Sequence, residues 1–104
     1  MNQIFIDRFV VPKNSFEEFV QRMKYNRNFI KNMPGFIKDE AYKSSAENGN
    51  IIIVTVAVWE NEELLLKAKE AVQAEYKRIG FNLPEMLTRL NITIERGTYK
   101  EIES

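Results

Sequence analysis

The sequence contains no cysteine and no histidine. Without thiols there are no disulfides and no thiolate nucleophiles. Without imidazoles there is no Ser-His-Asp triad, no histidine base and almost no conventional zinc or haem ligand set. A metal held by oxygen ligands would need a loop rich in Asp, Asn and Gly at EF-hand spacing, and none is present. Charge of one sign is missing too. Fifteen basic and fifteen acidic side chains cancel, so no long-range field draws the chain to nucleic acid or to an anionic membrane. The longest apolar run, Ile51 to Trp59, is too short to cross a bilayer, and Met1-Asn2-Gln3-Ile4 offers no basic segment leading into an apolar one. The expectation is a soluble cytoplasmic protein that binds no metal, nucleic acid or membrane.

What is there is globular. Hydrophobic residues make up 44% and charged residues 29%, with only three Pro and four Gly, unlike a disordered or fibrous chain. Residues 1–104 have room for one modest core, so a single domain is expected.

Gln3 to Val11, rich in Ile, Phe and Val and stopped by Pro12, reads as a first strand. Asn14 with Glu17 three residues on makes a capping-box pattern. Phe16, Phe19, Val20, Met23 and Ile30 then fall at helical spacing, giving a first helix that ends near Asn32, before Pro34-Gly35. Phe36 to Ser45 is a mixed second strand, and Glu47-Asn48-Gly49-Asn50 has hairpin-turn chemistry. Ile51 to Trp59 is a third strand, almost uninterruptedly apolar. Asn61 caps a second helix along Leu64, Leu65, Ala68, Ala71, Val72 and Ile79, which closes at Gly80. Asn82-Leu83-Pro84-Glu85 opens a further short helical turn, and Leu90 to Tyr99 reads as the last strand. The tail Glu101-Ile102-Glu103-Ser104 is read as loose.

The order β-α-β-β-α-β is that of a ferredoxin-like α+β fold, in which two helices cover one face of a four-stranded antiparallel sheet. The third strand is apolar on both sides, as a strand covered on both faces is, yet the helices cover only one. A second copy packed sheet to sheet is the economical cover, so a homodimer through the open sheet face is expected.

Strand alternation sends Phe5, Asp7 and Phe9 to one face and Ile4, Ile6, Arg8 and Val10 to the other. A charge inside an apolar strand is costly unless paired or solvated, so Asp7 and Arg8 each either line a cavity or make a cross-strand ion pair. Trp59 ends the third strand, where it either stacks on a flat ligand or plugs the helix–sheet core. Tyr76 follows Val72 at helical spacing and points its hydroxyl into a pocket or serves as a partly buried structural tyrosine. Asn82, beside Phe81, is a helix cap or a ligand contact. Arg78 belongs to a solvated helix face. No paired-carboxylate signature, phosphate-cradling glycine loop or basic-aromatic surface for RNA accompanies them.

Three segments, Ile4-Phe5-Ile6-Asp7-Arg8-Phe9-Val10, Met33-Pro34-Gly35-Phe36-Ile37 and Val56-Ala57-Val58-Trp59-Glu60-Asn61, carry a resemblance of the whole chain to the antibiotic biosynthesis monooxygenase family of dimeric α+β barrel proteins. The Pro-Gly-Phe turn and the Trp closing the third strand recur in that family. The resemblance implies either oxygenation of phenols, anthrones or quinols without a cofactor, or haem degradation. The haem branch uses a His ligand and an Asn on the first strand. Here the corresponding regions read Ala74-Glu75-Tyr76-Lys77-Arg78 and Asp7, a double departure.

What the resemblance then implies is a monooxygenase whose small aromatic or quinol substrate itself reduces dioxygen, with no cofactor. Asp7 would be base or proton relay, Trp59 and Tyr76 would position the ring, and Arg78, Phe81 and Asn82 would hold the substrate. A carboxylate does such work only where burial raises its basicity. The alternative is a dimer that binds or senses a small ligand without turnover. Aldehyde- or lactone-handling chemistry on this fold calls for the missing His or Cys.

Overall fold

A computed structural model describes residues 1–46 and 48–103. The elements run β1 (Gln3–Pro12), α1 (Phe16–Ile30), β2 (Phe36–Ser45), β3 (Asn50–Trp59), α2 (Glu62–Ile79), α3 (Leu83–Arg89) and β4 (Thr93–Tyr99), with one 3-10 turn, Lys13–Ser15, ahead of α1. The strands form one antiparallel sheet in the order β2-β3-β1-β4. This is the ferredoxin-like α+β fold expected from the order of elements. Glu47 of the expected hairpin turn and Ser104 of the tail lie outside the described residues.

Three local expectations are corrected. Asn14 does not cap α1. It lies within the 3-10 turn, and Ser15 takes the cap position without using its hydroxyl on the helix. That hydroxyl instead donates to the Leu90 carbonyl at 3.1 Å, tying the start of α1 to the end of α3. The last strand begins at Thr93 rather than Leu90. Leu90 ends α3, Asn91 turns the chain with φ of 57°, and the amide of Ile92 donates back to the Leu87 carbonyl at 2.8 Å. The short turn at Leu83 grows into a third helix, which buries Met86 and Leu87. The caps of α2 and α3 form as read: Asn61 Oδ1 accepts from the Leu64 amide and Asn82 Oδ1 from the Glu85 amide, both at 2.9 Å, and Gly80 closes α2 in the left-handed region.

The inner face of the sheet carries Phe5, Asp7, Phe9 and Val11 of β1 against Ala57, Thr55, Ile53 and Ile51 of β3. Its apolar packing falls into two clusters. One gathers Phe9, Val11, Phe19, Ile53, Met86, Leu87 and Ile92, and the other Ile30, Trp59, Leu65 and Ala68. Each large apolar side chain fully buried in them contributes about 1.5–3 kcal/mol. Between the clusters the sheet turns polar. Asp7 pairs with Thr55 of β3 on one side and with Arg96 of β4 on the other. A row of polar side chains thus crosses the inner face where a continuous core would place aliphatic ones.

The Pro34-Gly35-Phe36 turn docks α2. Gly35 has φ of 86° and lies against Leu64, and its carbonyl accepts from the Glu60 amide at 2.9 Å. Phe36 meets Trp59 edge to face, centroids 5.5 Å apart, so two segments far apart in sequence become one wall. The outer face holds Ile4, Ile6, Val10, Ile52, Val54 and Val56, none of them fully buried, with Tyr42 and Tyr99 exposed at its flanks. The radius of gyration is 14.3 Å and the Cα extents are 40 × 38 × 18 Å, against roughly 13 Å for a globule of this length. The chain is a plate with helices on one side only.

Candidate functional site

A cavity of about 250 Å³ opens between the helices and the polar row of the sheet, close to the lower end of ligand pockets, roughly 300–1,000 Å³. Phe5, Asp7 and Phe9 of β1 form its floor with Thr55, Ala57 and Trp59 of β3 and Arg96 of β4. Met23 and Asn26 of α1 and Leu65, Val72 and Tyr76 of α2 form its roof. The cavity exists because the apolar stripe of α1, which runs Phe19, Met23 and Ile30, is interrupted at Asn26, directly over the gap between the two core clusters.

Asp7 is buried and meets Arg96 in a two-point ion pair. Nε and Nη2 of Arg96 donate to Oδ1 and Oδ2 at 2.7 and 2.9 Å. The pair occupies one acceptor position on each carboxylate oxygen and leaves the others available to a ligand. The same hydrogen bond holds the Arg96 guanidinium above its ordinary value. Tyr76 is buried, and desolvation pushes its hydroxyl above the usual tyrosine value of 10, so at neutral pH it is a proton donor. Trp59, 2% exposed, presents one surface to the cavity while packing with Ile30, Leu65 and Phe36.

Asp7, Trp59 and Tyr76 are therefore brought together, and Arg78, Phe81 and Asn82 are not. Arg78 lies on the outer side of α2 with its guanidinium on Glu75, at 2.7 and 2.9 Å. Asn82 spends its side chain on the first turn of α3. Phe81 packs edge-on against Tyr76, centroids 4.9 Å apart, and so backs the site from outside. The reason is periodicity: the inward side of α2 runs Leu65, Ala68, Val72 and Tyr76, which turns Arg78 away, and Gly80 then redirects the chain.

Wall residues that went unread in the sequence include Arg22, Asn26, Lys69 and Arg96. Asn26 was legible as the break in the α1 stripe. Arg96 was not, because its place depends on the register of β4 against β1. Asn26 Oδ1 is shielded from solvent and has no hydrogen-bond partner among the described residues. Among those residues no three His, Cys, Asp or Glu side chains converge to hold a metal ion, and no helix is long and apolar enough to cross a membrane.

Neither a protein-family model nor a curated protein matches the sequence. Solved structures do match its fold. SnoaB, a cofactor-independent oxygenase from Streptomyces nogalater, superposes with a TM-score of 0.64 at 20% identity, over 99% of this chain and 95% of that one. A Bacillus cereus protein provisionally assigned as an antibiotic biosynthesis monooxygenase gives 0.63 at 20% identity, covering 100% and 94%. A dimeric ferredoxin-like protein from an uncultured marine organism gives 0.67 at 11% identity, covering 99% and 97%. At these identities the likeness is one of architecture. By structure alone, the chain has the fold of the antibiotic biosynthesis monooxygenases.

Proposed function

We propose that the protein is a cofactor-independent monooxygenase acting on a small aromatic or quinol substrate, and that it works as a homodimer. The observation that carries this reading is the cavity itself. It is an apolar slot between Phe5, Phe9, Trp59 and Leu65 into which a carboxylate, Asp7, and a protonated phenol, Tyr76, both project. The similarity of the fold to that of SnoaB supports the same reading.

In such a site a phenolic hydroxyl of the substrate donates to a free acceptor position of Asp7, which relays the proton out of the cavity. The electron-rich anion left behind is the reductant of dioxygen. One oxygen atom bonds to the substrate carbon, and the other leaves as water with two hydrogens taken from the substrate. Tyr76 donates a hydrogen bond to the developing oxyanion, and the aromatic walls exclude bulk water. The homodimer is supported by the apolar outer sheet face and by the dimeric protein of similar fold.

The test is oxygen uptake by the purified protein over a panel of dihydroquinones and anthrones without flavin, metal or haem, with Tyr76→Phe alongside. Uptake above autoxidation that falls in the variant is expected. Uptake at the autoxidation rate on every member, with the compounds still bound, would leave the second reading, a binding or sensing dimer. One observation favours that reading: both oxygens of Asp7 are already engaged by Arg96.

A further inference from the structure

The walls of the cavity carry more positive than negative charge. Arg22, Arg27, Lys69 and Arg96 face it with Asp7 and Asp39. Two of the cations are matched: Arg96 with Asp7 at 2.7 Å, and Arg27 with Asp39, Nε to Oδ2, at 2.5 Å. Arg22 and Lys69 make no ion pair among the described residues. Each rests on an aromatic ring instead, Arg22 at 3.9 Å from the centroid of Phe81 and Lys69 at 4.6 Å from that of Phe5. A ring under the face of a guanidinium leaves its in-plane N–H donors free, and those are the donors that grip a carboxylate two at a time.

The position of Asn26 sharpens this. It follows Arg22 by four residues, so the two side chains stand one helical turn apart on the same side of α1, Cβ atoms about 6 Å from each other. Asn26 Oδ1 is the buried acceptor without a partner. Leaving such an acceptor unmatched is costly, and a ligand O–H is what would satisfy it. A forked donor and an orphaned acceptor at that spacing match a carboxylate and a hydroxyl borne on one aromatic frame. Lys69 and Tyr76, seven residues apart on α2, both line the cavity and stand about 10 Å apart along the helix, the span of two or three fused rings.

Resting on the aromatic-substrate reading of this cavity, we infer that its ligand is a hydroxylated aromatic carboxylic acid, with the carboxylate held by Arg22 and the hydroxyl donated to Asn26. Lys69 supplies a second positive charge at the Phe5 end.

The experiment is anaerobic calorimetric titration of the intact protein with three probes: a hydroxynaphthoic acid, its methyl ester, and the naphthoic acid lacking the hydroxyl. Binding at least about tenfold tighter for the hydroxy acid than for the ester is expected. Arg22→Gln should abolish that difference while leaving the ester's affinity unchanged, and Asn26→Leu should abolish the preference for the hydroxy acid over the unhydroxylated one. Equal binding of acid and ester by the unaltered protein overturns the proposal without recourse to any variant, as does an acid preference that survives in Arg22→Gln. Because oxygen is absent, the outcome is independent of turnover. An acid preference without oxygen uptake removes the oxygenase reading alone, and uptake with neutral quinols at equal acid and ester affinity removes this one alone.

Discussion

Asp7 and Arg96 face each other at matched register across β1 and β4, joined by two hydrogen bonds of 2.7 and 2.9 Å on the inner face of the sheet. The carboxylate side chain is 10% exposed and the guanidinium 46%, so most of the desolvation falls on Asp7. Removing the cation alone strands a buried anion. Arg96→Leu should lower stability by about 1–3 kcal/mol, less than a fully buried pair would because the guanidinium is half solvated. The Asp7→Leu, Arg96→Leu double variant, apolar on both sides, should come back to within about 1 kcal/mol of the unaltered protein while losing ligand binding. Urea unfolding of the unaltered protein, Asp7→Leu, Arg96→Leu and the double variant in a double-mutant cycle checks both values. A double variant as unstable as the sum of its parts would mean that the pair is needed for the fold as well as for the cavity.

At Gly35 two penalties coincide. Its φ of 86° disfavours any side chain, and a methyl there would meet Leu64 Cβ at 2.5 Å. Gly49 has a similar φ, 82°, with nothing within 4 Å. Gly49→Ala should therefore cost only the backbone term, about 1 kcal/mol. Gly35→Ala should add overpacking and cost roughly 2–4 kcal/mol, loosening the docking of α2 and with it the roof of the cavity. Thermal unfolding of the two variants side by side separates the contributions.

How far the sequence carries can be seen from the same residues. Element order, the alternation that parts Asp7 from Arg8, and the caps at Asn61 and Asn82 are properties of neighbours in sequence, and all were legible. Asn14 fits the cap pattern and fails because the Ser15 hydroxyl finds the Leu90 carbonyl, 75 residues away. The site divides in the same way. Asp7, Trp59 and Tyr76 are turned inward by local periodicity. Arg96 reaches Asp7 only through strand pairing, and Arg22 and Lys69 matter because they face the cavity without an ion pair among the described residues.

The helices are clasped above the cavity by Glu75 of α2, which accepts from Arg78 Nε and Nη2 and from the hydroxyl of Tyr25 of α1. The Arg78 hydrogen bonds, with that of Tyr25, hold its carboxyl at about 2, down from 4.5. A depressed folded-state value means that the clasp stabilises fully above about pH 4.5 and is lost as pH falls towards 2. Glu75→Gln should be less stable than the unaltered protein at neutral pH and should approach it as the pH drops through that window, and Tyr25→Phe should show a smaller change of the same sign. Acid titration followed by circular dichroism checks the slopes. High salt should shrink the effect, because the Arg78 partner is exposed.

The outer sheet face sets the last expectation. Val54 lies near its centre, between Arg8 of β1 and Tyr42 of β2. Arg8 is the one charge among the apolar residues that β1 presents to this face, and it stands 4.0 Å from Glu95 of β4. An ion pair at that place suits a surface to be covered, since an uncompensated charge there would have to be desolvated alone. Val54→Asp puts a second carboxylate beside Arg8, which already pairs with Glu95, so one carboxylate in the middle of the face is left without a cation of its own, while pointing away from the helices and the core. Its helix and strand content should be unchanged by circular dichroism, and sedimentation equilibrium should find the unaltered protein dimeric and the variant monomeric at the same concentration. A variant that stays dimeric would place the interface elsewhere and leave the open face without an occupant.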